Sequence, residues 1–338
     1  MSSRPKVVIT HRVHESVKQF LGHKCEVVAN EDVESWPPST LLGHVRDADA
    51  VMAFMPDRID EAFLAHCDHL KIVAAALKGY DNIDVEACTR HGVWLTIVPD
   101  LLSVPTAELA LALVLGITRN IPAGDRLVRS GKFQGWRPVL YGAGLTGKTV
   151  GILGMGKLGQ AFVRLLSGFN ANLLYYDPVK LGPVQEGYLG LARASFEELI
   201  SQSEIVVVLA PLTPATLHLI NTETIARMKP GAYLVNVGRG SVVDEEAVAR
   251  ALKQGHLAGY AADTFEMEDQ ARTHPPQAIA AGLIADVDQT LFTPHLGSAV
   301  AHVRQEIELA AAKSILQALA GEAPAGAVNQ PARAGVGK

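Results

Sequence analysis

Arg239, Glu268 and His295 are the residues whose types and spacing could do chemistry in this chain, each a few positions beyond a β-rich run. They lie in Asn236-Val237-Gly238-Arg239-Gly240, Asp263-Thr264-Phe265-Glu266-Met267-Glu268 and Thr293-Pro294-His295-Leu296-Gly297-Ser298. In an open α/β sheet ligands bind outside the carboxyl ends of the strands, so three such segments can converge. A guanidinium clamps an oxyanion through a planar fork of donors. An imidazole exchanges protons near neutral pH, and a neighbouring carboxylate fixes its tautomer. Clamp, proton exchanger and orienting carboxylate are what hydride transfer with a dinucleotide requires.

A dinucleotide site is legible upstream. The strand-like run Thr149-Val150-Gly151-Ile152-Leu153 leads into Gly154-Met155-Gly156-Lys157-Leu158-Gly159, and an amphipathic stretch with Phe162, Leu165 and Leu166 follows. Between a strand and a helix these glycines have separate uses. Gly154 permits the tight turn, Gly156 lets backbone approach a pyrophosphate, and Gly159 lets helix pack on strand. Asp177 ends the next strand-like run, where it accepts hydrogen bonds from ribose hydroxyls and repels a 2′-phosphate. Pro178 and Val179 follow it instead of an arginine, which favours NAD over NADP; Lys180 is the nearest cation in sequence.

The elements that must position these residues follow from alternation. Short apolar runs at 7–10, 25–28, 50–53, 72–75 and 94–96 read as strands, with helical patterns at 13–21, 61–66 and 85–91 between them. A second series of strands is expected at 149–153, 173–176, 205–209, 233–236, 259–263 and 291–293. Such alternation predicts an α/β chain with parallel sheets covered by helices. Residues 107–118, dense in Ala and Leu, read as a long apolar helix crossing between domains. Residues 131–145, with Phe133, Trp136 and Tyr141, read as an ordered loop. A closing helix is expected over 298–319, before an Ala/Gly/Pro tail over 321–338 that is loose at its end.

Bulk properties narrow the classes. At 338 residues two domains are expected, and 48% hydrophobic with 19% charged residues is a globular composition. A formal charge of −5 provides no broad basic surface, which argues against a nucleic-acid partner. Cys25, Cys67 and Cys88 are scattered, with no CxxC or Cys/His cluster, so neither a metal site nor a disulfide framework is expected. Val7-Val8-Ile9 is too short for a signal peptide, and no apolar run approaches the roughly 20 residues that span a bilayer. The expectation is a cytoplasmic chain with no membrane partner.

Over nearly its whole length the sequence resembles the D-2-hydroxyacid dehydrogenases, through the glycine fingerprint, Val235 to Gly240, Asp263, Glu268 and Pro294-His295. The resemblance implies two doubly wound domains, with a Rossmann NAD-binding domain (101–295) inserted into a flavodoxin-like substrate-binding domain (1–100 and 296–338). It implies Arg239, Glu268 and His295 as the catalytic set and a homodimer. Cofactor contacts are expected from Lys78, Thr106, Gly154, Gly156, Lys157, Leu158, Gly159, Asp177, Pro211, Val237, Asp263, His295 and Gly297.

Within that family the match narrows to the phosphite (phosphonate) dehydrogenases, on residues including Ala76-Leu77-Lys78-Gly79-Tyr80, Gly135-Trp136, Tyr141-Gly142 and Arg304. Substrate contacts are then expected from Met55, Lys78, Trp136, Tyr141, Ser298 and Arg304. Trp136 and Tyr141 could reach in from a partner subunit or a neighbouring loop. Three cations, Arg239, Lys78 and Arg304, suit a small oxyanion approaching two negative charges better than a single carboxylate. The expected reaction is NAD-dependent oxidation of phosphite by water; the alternative is a glyoxylate or hydroxypyruvate reductase.

Overall fold

In the computed structural model the chain is described over residues 4–272 and 274–331. It divides into two compact units. The first comprises Met1–Leu102, Gln270–Thr273 and Ala299–Lys338; the second comprises Ser103–Asp269 and His274–Ser298.

The first unit carries a five-stranded, all-parallel sheet: β1 (Lys6–Ile9), β2 (Glu26–Ala29), β3 (Ala50–Ala53), β4 (Ile72–Ala75) and β5 (Trp94–Thr96), in the order β2-β1-β3-β4-β5. This is the flavodoxin-like order. Every residue of β3 and β4 is buried, as expected of strands covered on both faces. The helix Ala301–Leu319 covers one of those faces. Its Ile307, Ala311, Ala312, Ile315 and Ala318 join Val7, Ile9, Met52, Ile72 and Ala74 in one cluster. Burying one such isoleucine contributes about 1.5–3 kcal/mol, which ties the end of the chain to its beginning.

The tail docks further than its composition implies. Ala327 bridges Thr96, the Val328 N–H donates to Leu95 O, and Asn329 side-chain groups bond Leu95 and Val93. The last positions of the expected loose end, 332–338, lie outside the described residues.

The second unit has seven parallel strands: β6 (Thr149–Leu153), β7 (Asn172–Tyr176), β8 (Leu191–Arg193), β9 (Ile205–Val208), β10 (Ala232–Asn236), β11 (Leu257–Ala262) and β12 (Thr290–Phe292). Their order, β12-β11-β10-β9-β6-β7-β8, reverses direction between β6 and β9. That crevice is where a doubly wound sheet binds a dinucleotide. The helix Ser103–Thr118 belongs to this unit and opens it, packing Ala107, Ala110, Val114 and Ile117 with Phe162 and Leu166 of helix Lys157–Leu166.

Cys25 and Cys88 are buried and Cys67 is half-buried, all three as free thiols. Burial pushes Cys67 up to about 11 and Cys88 up to about 12, so both stay protonated at neutral pH. Among the described residues no single helix is long and apolar enough to cross a membrane; only the pair Ser103–Thr118 and Ile121–Arg129, bent by 64°, has the length and composition.

Candidate active site

β10, β11 and β12 are neighbours in the sheet, so Arg239, Glu268 and His295 all emerge at one end of adjacent strands. His295 Nδ1 lies 2.7 Å from Glu268 Oε2. A carboxylate only accepts, so Nδ1 carries the proton of that bond. Nε2 makes no hydrogen bond among the described residues. Glu268 is fixed in turn, its Oε1 accepting the Phe265 N–H at 2.7 Å.

The backbone of His295 is left-handed, with φ 55°. A non-glycine residue there is strained unless its surroundings hold it. Asp263 does the holding. Its Oδ1 accepts the Thr293 hydroxyl and the Leu296 N–H, both at 2.6 Å, and Oδ2 accepts the Gly297 N–H at 2.9 Å. The His295 N–H donates to the Asp263 carbonyl at 2.9 Å. Burial pushes the Asp263 carboxyl up, against the Thr293 hydroxyl that favours its charged form. Asp263, expected as a cofactor contact, is thus also the clamp of the loop that aims His295. A Cβ on Gly297 would lie 3.0 Å from Thr106, which places that threonine, at the start of helix Ser103–Thr118, beside the same loop.

Arg239 stands on a turn closed by Asn236, which accepts the Gly238 N–H and donates to the Arg239 carbonyl. Next to it, a Cβ on Gly240 would meet the backbone of Phe265 and Glu266 at 1.9 and 2.2 Å. Backbone cannot yield as a flexible side chain can. Gly240→Ala is therefore expected to cost on the order of 3 kcal/mol or more, read as a lower urea midpoint; an unchanged midpoint would show that the two loops are free to part.

Beneath these loops lies a carboxylate frame that sequence reasoning missed. Glu245 and Glu266 accept each other's N–H, at 3.1 and 2.8 Å, and His218 Nε2 lies 2.8 Å from Glu266 Oε2. Asp269 accepts the Ser241 N–H at 2.6 Å. Glu245, Glu266 and Asp269 are all buried. Burial pushes Glu245 up, and its own backbone partners pull the other way. Glu266 stood inside a motif already singled out, but nothing in the sequence pairs Glu245 with Glu266.

Several of the residues expected to contact the cofactor lie at the crevice between β6 and β9. Gly154 has φ +97° and Gly159 presses on the Gly154 carbonyl, 2.3 Å from where its Cβ would stand, so neither tolerates a side chain. A Cβ on Gly156 would meet nothing within 4 Å, leaving open space where a pyrophosphate would approach. Lys157 and Leu158 begin the helix behind it. Asp177 follows β7, its Oδ2 accepting the Met155 N–H at 2.7 Å. Gly238 packs on the Ala210 carbonyl, bringing the Val237 turn to the end of β9 near Pro211. The residues present fit a dinucleotide.

The other expected contacts fall into two groups. Ser298 is half-buried at the end of the His295 loop. Trp136 and Tyr141 are 78% and 77% exposed. Their segment is fastened to the far end of helix Ser103–Thr118, where Ala143 donates to Thr118 O and Asn120 to the Tyr141 carbonyl. At 1.5 Å per residue, Thr118 lies about 18 Å along the helix from Thr106, and the Tyr141 carbonyl is held near that far end.

Met55, Lys78 and Arg304 belong to the first unit. There Met55 follows β3, Lys78 follows β4, and Arg304 donates to Ala76 O at 3.4 Å with its guanidinium over Phe54, 5.7 Å from the ring centre. Burial pulls the Arg304 pKa down, opposed by Glu308, whose carboxylate lies 3.9 Å away.

A doubly wound nucleotide-binding unit with a His–Glu pair at its strand ends defines an NAD-dependent oxidoreductase. Residues 111–297 match the model of the D-isomer specific 2-hydroxyacid dehydrogenase NAD binding domain, and the chain belongs to that family. Its cofactor is NAD. The chain is 36% identical to a glyoxylate reductase from Thermofilum pendens over 332 residues, 97% of this chain and 95% of the relative. A glyoxylate reductase from Pyrococcus furiosus is 37% identical over 332 residues, 97% of this chain and 96% of that one. Among solved structures, a glyoxylate reductase from Paecilomyes thermophila superposes with a TM-score of 0.84 at 26% identity, covering 97% of this chain and 99% of that one.

These relatives overturn the expectation of phosphite oxidation. That expectation rested on three cations, and a count of cations along a sequence does not show which are already neutralised. Arg304 faces the buried Glu308 carboxylate, which reduces the positive charge on which the argument depended.

Proposed function

We propose that the chain reduces glyoxylate, a small 2-oxo acid, to the corresponding 2-hydroxy acid, with NADH as the reductant. The observation that carries this reading is the His295–Glu268 pair at 2.7 Å, with Nε2 left to meet a substrate oxygen. Full-length similarity to proteins named glyoxylate reductases supports the substrate class.

NADH supplies the hydride that converts the carbonyl carbon to an alcohol. Arg239 holds the substrate carboxylate through two parallel N–H donors. His295, protonated on both nitrogens, gives the Nε2 proton to the carbonyl oxygen as negative charge develops there. Glu268 holds the ring at Nδ1 and stabilises the imidazolium before that transfer. Run backwards, the same histidine takes the proton of a 2-hydroxy acid.

The test is NADH consumption with glyoxylate and, separately, with hydroxypyruvate. Turnover of glyoxylate supports the reading. No turnover of glyoxylate, with or without turnover of hydroxypyruvate, or NADH formation from NAD and phosphite in its place, overturns it.

A homodimer belongs to the same proposal. Ile121, Val128, Phe133, Trp136, Val139 and Tyr141 leave apolar surface exposed along one stretch of the second unit, more than an isolated surface residue explains. Sedimentation equilibrium giving only the monomer mass would count against it.

A further inference from the structure

Among the described residues two histidines have a left-handed backbone, His295 with φ 55° and His218 with φ 48°. Each is paired with a carboxylate of the same short segment, His295 with Glu268 and His218 with Glu266. His218 Nε2 lies 2.8 Å from Glu266 Oε2, and because a carboxylate only accepts, Nε2 carries the proton of that bond. A left-handed histidine persists only where its surroundings hold it. Before His218 the chain forms a closed turn: the Thr216 hydroxyl donates to the Pro211 carbonyl at 2.7 Å and accepts the Thr213 N–H at 2.8 Å. At and beyond His218 the chain runs beside the residues that follow Arg239. The His218 N–H donates to the Ser241 carbonyl at 2.8 Å, the Ile220 N–H donates to Val242 O at 3.0 Å, and Ile220 pairs with Val243 in a parallel bridge. The imidazole thus projects from a backbone fixed on both sides. Glu266, which it reaches, opens the single turn Glu266–Glu268 and follows Phe265, whose N–H orients Glu268. Its Oε1 accepts the Glu245 N–H while Oε2 meets His218, so one buried carboxylate is tied to the loops after β9 and β10.

We propose that His218 is a positioning residue for proton transfer: by holding Glu266 it fixes the segment 265–268 in the place from which Glu268 aims His295. Without the imidazole a buried carboxylate has one donor fewer, and a buried charge short of donors moves to find water or another partner. Phe265 and Glu268 share its turn and move with it. The substrate clamp is less affected, because the Arg239 turn is closed by its own Asn236. Loss of His218 therefore falls on the step in which His295 gives its proton more than on the binding of the 2-oxo acid.

His218→Gly tests this without straining the backbone, since glycine adopts the left-handed conformation freely. His218→Gln returns an N–H donor at about the reach of Nε2. Amide hydrogen exchange, followed by mass spectrometry on the NADH-bound chain, needs no substrate. In His218→Gly the exchange of residues 263–269 is expected to quicken ~10-fold, the scale of one hydrogen bond to a charged group. Exchange across the glycine loop, 151–160, is expected to stay as in the wild type, which also shows that the variant is folded. A histidine that served only its own turn would quicken exchange across 211–220 alone, and that result overturns the proposal. Turnover adds a second measure, resting on the glyoxylate reduction proposed above. There kcat is expected to fall about 10-fold in His218→Gly with KM within about twofold of wild type, the mark of a misplaced catalytic group. His218→Gln is expected to recover part of that loss. A kcat for His218→Gly within twofold of wild type, or a glutamine variant as slow as the glycine one, overturns the proposal. A wild-type chain that leaves glyoxylate untouched overturns the reduction instead, and the exchange of residues 263–269 then decides the role of His218.

Discussion

His295→Asn is expected to lower kcat for glyoxylate reduction by about 10²- to 10⁴-fold, the usual contribution of a positioned proton donor, while the affinity for NADH stays nearly unchanged. Asparagine is chosen because of the backbone. His295 has φ 55°, a left-handed conformation that asparagine adopts more readily than most residues. Its side-chain amide can still donate toward Glu268, and the Asp263 clamp acts through the Thr293 hydroxyl and through backbone N–H groups that the substitution leaves in place. What disappears is the titratable Nε2. The effect on kcat therefore reports proton transfer and not collapse of the loop. A variant that keeps more than about a tenth of wild-type kcat would show that another group or a water supplies the proton, since general acid–base catalysis is worth at least ~10²-fold when it operates.

The second large effect is expected at Arg239. Its replacement by alanine should lower kcat/KM for glyoxylate by about 10²- to 10³-fold, since charged hydrogen bonds at an ion-binding site are each worth ~1.5–3 kcal/mol. Lysine is the more informative substitution. It preserves the charge but presents a compact ammonium in place of a planar fork. If the arginine grips the carboxylate through two parallel N–H donors, Arg239→Lys recovers little of the loss, and the deficit appears mainly in KM. Recovery to near wild-type kcat/KM would show that charge alone is needed. The turn makes the comparison clean, because Asn236 bonds the Gly238 N–H and the Arg239 carbonyl, neither of which depends on the side chain at 239.

Local rules account for what was legible. Strands such as Ala50–Ala53, Ile72–Ala75 and Thr149–Leu153 stand where their apolar runs predict, because a strand buried on both faces has no polar position to confuse the pattern. Three of the elements that the sequence reading did not place show why. Helix Pro38–Val45 opens on prolines that read as loop, although proline suits the first turn of a helix. Helix Ile121–Arg129 contains Gly124 and follows Asn120 in a left-handed conformation, so its start looks like a break. β8 is only Leu191–Arg193, two of whose three residues are exposed.

The residues singled out at the start, Arg239, Glu268 and His295, show the same division. Their types, the strand before each, the glycine loop and Asp177 were determined by the sequence alone, because each depends on neighbours a few positions away. Tertiary structure decided which of them touch and what holds them. It joined His295 to Glu268, made Asp263 the clamp of a strained loop, and set Glu245 against Glu266 beneath them. It also placed Glu308 beside Arg304 and held Tyr141 at the far end of its helix. Those outcomes depend on which strands lie side by side and which groups share a buried space, and strand order and burial are properties of the packed chain that no local spacing encodes.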